Sequence, residues 1–148
     1  ARAVLRLVDG KPKLQLVDEA GATRVVLALV DEAPWLGLLD TAGQTRMILR
    51  VVAGEPSLLV YDETGRICAD LKLIDGEPEL GLHDRTGKHQ AVLSLVGTER
   101  LHRCAEPILL LFDEARRTQA ILRLVDGRPS LQLGEEGEAD ESSSCCTD

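Results

Sequence analysis

The chain has 148 residues, 44% of them hydrophobic and 28% charged, with a net charge of −8 at neutral pH. That length suits one domain with a real core, and no apolar run approaches the roughly 18–20 residues of a membrane-spanning helix, so no membrane span is expected. The acidic balance leaves no basic footprint of the kind nucleic acid requires, so that partner class is excluded.

In chain order, the first segment starts with Ala and carries no charged-then-apolar leader, which points to a processed mature protein. Residues 3–8, "AVLRLV", alternate with a period of two and read as strand A, with Leu5 and Leu7 on one face. Residues 13–17, "KLQLV", read as strand B, with Leu14 and Leu16 on the same face. Between them, "VDGKP" supplies a glycine for positive φ and a proline where a missing N–H is tolerable. After strand B, "DEAG" offers Asp to bond the turn backbone and Gly for the left-handed position.

This unit then recurs. Pro12, Pro34, Pro56, Pro78, Pro107 and Pro129 are spaced by 22, 22, 22, 29 and 22 residues. Asp18, Asp40, Asp62 and Asp84 recur with Gly21, Gly43, Gly65 and Gly87, while the fifth unit keeps Asp113 and has Arg116 in the glycine slot. The units span about 3–24, 25–46, 47–68, 69–90, 91–119 and 120–133, followed by a tail at 134–148. The phrase "YDETGR" at residues 61–66 resembles the tyrosine–aspartate repeats of large bacterial Rhs-type toxins and shells. It occurs once, the other units lack the Tyr, and no function follows from it.

The fold class read from this pattern is all-β, with six tandem hairpins of about 22 residues and about twelve short strands. Leu fills 22 of the 24 inward slots, with Val51 and Val60 in the others, so that face is expected to be the core. A flattened barrel, a sandwich or a solenoid-like stack would close it, with a β-trefoil-like arrangement as the alternative. The trefoil calls for alternating barrel and cap hairpins, and no period of 44 overlies the period of 22.

The outward slots differ among units. Strand A reads apolar–polar–apolar, as in Val4, Arg6 and Val8, or Ile48, Arg50 and Val52. Strand B is mostly polar in units one, four and six, but carries Trp35 and Leu39, Leu59 and Tyr61, and Ile108, Leu110 and Phe112 in the others. These residues, the three aromatics among them, form the candidate assembly or binding surface. His83 and His89 read as solvated. Residues 97–106, "GTERLHRCAE", hold the extra length of unit five; His102, Arg103 and Cys104 mark this insertion as a place for a specific contact. A zinc site needs about four ligands at recognised spacings, and His-x-Cys supplies two, so no metal site is read here. Cys68, Cys104, Cys145 and Cys146 are candidate disulfide partners, with Cys68–Cys104 the bridge an oxidising compartment would allow. The tail holds six acids and no Lys or Arg, which leaves residues 1–133 nearly neutral.

Repetition argues against an enzyme, because a catalytic site is a local exception and the turn aspartates already have structural work. No catalytic residue, cofactor or metal is expected. The function expected is that of a structural, self-associating β-repeat protein, a subunit of an extracellular filament or surface assembly, with itself as partner. The alternative is a carbohydrate- or protein-binding module, lectin-like, using the outward aromatics; a cytoplasmic setting is the alternative location.

Overall fold

The computed structural model describes residues 1–96, 106–125 and 127–134. Six hairpins follow one another: β1 (Arg2–Val8) with β2 (Lys11–Val17), β3 (Thr23–Val30) with β4 (Ala33–Leu39), and β5 (Thr45–Val52) with β6 (Glu55–Tyr61). Then come β7 (Ile67–Ile74) with β8 (Glu77–His83), β9 (His89–Val96) with β10 (Glu106–Phe112), and β11 (Thr118–Val125) with β12 (Arg128–Leu133). All twelve lie in sequence order in one antiparallel sheet whose edges are β1 and β12. Only sequential neighbours touch. The expected tandem hairpins are therefore present as a flat, open stack, and among the described residues one chain closes neither a barrel, a sandwich nor a trefoil. The equal units give every joint the same register, so nothing differentiates barrel hairpins from cap hairpins.

Two turn chemistries set that register. The hairpin turns are two-residue loops with both residues left-handed, such as Asp9 (φ 51°) and Gly10 (φ 76°). This is the geometry that matches the twist of the flanking strands and calls for Asn, Asp or Gly. Unit two departs from it with Asp31 and Glu32, at φ 49° and 67°.

The turns between hairpins use the aspartates as expected. Asp18 O accepts from Gly21 N at 3.2 Å, Asp18 N donates to Ala22 O at 2.9 Å, and Asp18 Oδ1 accepts from Ala22 N at 2.8 Å. The same pattern recurs at Asp40, Asp62, Asp84 and Asp113, and Arg116 takes the glycine slot at φ 65°. Each such turn ends in a β-bulge, seen as a register shift at Leu16/Val17 and its equivalents. Basic side chains stitch these turns together: Arg24 binds Asp18 Oδ2 through Nε at 2.7 Å and also donates to Asp40 O, and Arg46 repeats this one unit on, with Asp62 O.

Proline sits inside strand B, not at its start, with Pro12 opposite Leu7. Because Asp18 N points across the turn towards β3, the even-numbered positions of β2, Pro12 included, face β3. Each joint between hairpins thus forgoes one ladder hydrogen bond and still forms.

Candidate functional site

The two faces of the sheet differ in chemistry and in exposure, and the difference reverses the sequence expectation. On one face the registers align Leu5, Leu14, Leu27, Leu36, Leu49, Leu58, Leu71, Leu80, Leu93, Leu109, Leu122 and Leu131 into an unbroken leucine row. A flanking row alternates Pro with Leu or Val, from Leu7 and Pro12 to Leu124 and Pro129. The other flanking row runs from Ala3 and Leu16 through Met47 and Val60 to Ala120 and Leu133. No polar side chain interrupts these rows. The leucine face was expected to be the core, yet Leu27, Leu49, Leu71, Leu93 and Leu122 are 46–49% exposed. With a single layer, nothing in the chain lies against it.

The buried residues are on the opposite, mixed face: Val17, Val26, Leu59, Val92 and Asp70. Short side chains of its central row are overhung by longer ones of the rows beside it. The six-membered ring of Trp35 covers Gly37, where a Cβ would collide with it. Of the residues predicted to form a binding surface, all six lie on this face. Trp35, Leu39, Tyr61, Leu110 and Phe112 are half-buried, whereas Leu59 is buried, with 5% of its surface accessible. They are spread over β4, β6 and β10 and do not converge on one pocket.

A second feature of the mixed face was not foreseen. Asp70 on β7, Glu79 and His83 on β8 and His89 on β9 gather over Gly81, with Lys72 beside them. Lys72 Nζ lies 3.2 Å from both Asp70 Oδ2 and Glu79 Oε1. His83 Nε2 is 3.7 Å from Asp70 Oδ2, and the two imidazoles are 4.2 Å apart between centroids. The expectation that His83 and His89 are solvated is therefore wrong: His83 is buried beside Asp70 and stacked on His89. The absence of a Cβ at Gly81 makes the room, since one would meet Asp70 Oδ1 and lie 3.0 Å from His89 Cε1.

Asp70 Oδ1, His83 Nε2 and His89 Nδ1 are buried without a hydrogen-bond partner, a costly arrangement. Burial, followed by the charge of a protonated His83, holds the His89 pKa below its ordinary value. The cluster can exchange protons between imidazoles and a carboxylate, but it has no nucleophile. Among the described residues no three His, Cys, Asp or Glu side chains are disposed to hold a metal ion. The sequence did contain a signal. The central slot of strand A reads Val4, Val26, Ile48, Asp70, Val92 and Ile121, with one charge among five apolar residues.

Cys68 is a half-buried free thiol whose Sγ lies 3.4 Å from Val60 O. The insertion residues His102, Arg103 and Cys104, the tail cysteines Cys145 and Cys146, and hence the proposed Cys68–Cys104 pairing, lie outside the described residues. No family model matches the chain, and no curated protein is significantly similar to it.

Proposed function

We propose that this chain is a structural subunit that self-associates, two copies packing leucine face on leucine face into a two-layer sandwich. The observation that carries this is the uninterrupted apolar face of a twelve-stranded sheet with no second layer in the chain. At about 4.8 Å per strand and about 14 Å along each strand, the three rows project roughly 800 Å². That matches the roughly 800 Å² per partner of a specific interface and exceeds the few hundred Å² that a monomer usually leaves in water.

A second copy is the occupant that fits best. The face carries no charge to repel its duplicate, and leucines of two such sheets can interdigitate at the usual spacing of about 10 Å. A lipid surface fits less well, because an apolar band about 14 Å tall falls short of the roughly 25 Å of a membrane-embedded barrel. The carbohydrate-binding alternative gains no observation of its own: the Trp35 ring is spent on covering Gly37, and the aromatics occupy unequal slots.

The test is a pair of lysines in the middle of the face, Leu49→Lys with Leu71→Lys. Both leucines are about half exposed in the single chain, at 49% and 47%, so a monomer tolerates the change while a sandwich would bury two unpaired charges. Size-exclusion chromatography should show the unaltered chain as a dimer or larger species and the lysine variant shifted to monomer. Arg50→Glu, on the opposite face, serves as control. Association unchanged by the lysine pair would refute the proposal.

A further inference from the structure

We propose that copies of this chain also join end to end, β12 of one against β1 of the next, in the register of the joints within the chain. The partner is again a second copy, so the inference rests on self-association, but the surface is the sheet edge and its failure is separable from that of the leucine face.

Five joints between hairpins share one register, each pairing a strand-B leucine with a strand-A leucine: Leu14↔Leu27, Leu36↔Leu49, Leu58↔Leu71, Leu80↔Leu93 and Leu109↔Leu122. β1 has the sequence and pairing of a strand A that lacks its preceding strand B, and β12 is a strand B that lacks its following strand A. Their free hydrogen-bonding groups are those the joints use. The pair Val8↔Lys11 closes a two-residue turn, so even positions of β1 face β2 and Ala3, Leu5 and Leu7 point outward. Gly134 N donates to Gln119 O at 2.7 Å, so even positions of β12 face β11 and Leu131 and Leu133 point outward.

Repeat arrays that end as monomers carry atypical, polar terminal units. Here the terminal strands keep the repeat pattern, and Leu5 and Leu133 are 75% and 71% exposed. Pro129 does not block the edge, because Pro12 occupies the same slot inside an internal joint. In that register Leu131 meets Leu5 of the next copy, Ser130 meets Arg6 and Gln132 meets Val4, so no like charges oppose each other. The contact is head-to-tail and leaves two fresh edges, the condition for an open filament.

The experiment uses full-length chains with the four native cysteines replaced by serine. Val4→Cys and Gln132→Cys would be directly opposed in a non-hydrogen-bonded pair about 4.5 Å apart between Cα atoms, within disulfide reach. Mixed under oxidation, the two single-cysteine chains should cross-link at least tenfold more than Gln132→Cys mixed with the offset Arg2→Cys. The chain carrying both cysteines should give a ladder of covalent multimers, and should do so in the Leu49→Lys, Leu71→Lys background too. Equal yields from the offset pair, or a double-cysteine chain that only bonds internally, would overturn the proposal. Leu131→Pro removes an N–H that faces the open edge alone. It should keep the β-sheet circular dichroism and abolish the ladder; an undiminished ladder would also refute the joint.

Discussion

Glu32 occupies a turn position that other units give to glycine. Asp31 and Glu32 both have positive φ, at 49° and 67°, whereas Gly10, Gly54 and Gly76 hold the second position elsewhere. A left-handed conformation costs an L-residue about 1–2 kcal/mol. Replacing Glu32 with Gly removes that cost and returns about 0.4–1 kcal/mol through the greater freedom of the unfolded chain. Glu32→Gly should therefore stabilise by about 0.5–1 kcal/mol, and the midpoint of urea unfolding should rise at constant slope and fixed protein concentration. The reciprocal change is cleaner still. A Cβ on Gly54 would meet nothing within 4 Å, so Gly54→Glu perturbs backbone conformation without a clash and should destabilise by about 1 kcal/mol. A Glu32→Gly chain no more stable than the parent, or a Gly54→Glu chain of unchanged midpoint, would refute the reading of these turns.

The mixed face yields two further predictions. Gly37→Ala places a Cβ where the Trp35 ring lies; overpacking of this kind costs about 1–3 kcal/mol. Because Trp35 is the one tryptophan, displacement of its ring into water should shift the fluorescence maximum to the red, and an unshifted spectrum would contradict the packing. The pH dependence of stability should have two windows. His89 has a pKa below its ordinary 6.5, chiefly through burial, so the unfolded chain takes up the proton first. Stability is full above pH about 6.5 and falls as pH drops through the folded value of His89. The turn aspartates are held below the ordinary 3.8, Asp18 and Asp40 first of all by backbone N–H groups, and Asp84 by the Thr86 hydroxyl to about 2. Their contribution is present above pH about 3.8 and lost below it. His89→Gln should flatten the upper window in urea midpoints measured against pH and leave the lower one; an unaltered upper window would contradict the role given to His89.

Much of the fold was legible because the repeat is carried by turn residues. Asp18, Gly21 and Pro12 with their equivalents fix two turn types and hence every strand pairing, and even Arg116 kept the left-handed slot it inherited. The exposure of the two faces was not legible. An all-leucine face states that cover is required, but alternation within a strand holds no information about whether the cover comes from the same chain or another. The cluster over Gly81 was missed for a different reason. Asp70, His83 and His89 stand on three strands, and each looks like an ordinary polar residue until the register places them around one missing Cβ. The three aromatics were correctly assigned to the face opposite the leucines, but Trp35 turned out to cover a glycine of its own strand.

The claim that a second copy covers the leucine face is tested most directly by sedimentation equilibrium of the unaltered chain over a hundredfold dilution series. The account predicts an even multiple of the chain mass that persists through the series, with monomer emerging at the dilute end if at all. A single species of monomer mass at every concentration would contradict it.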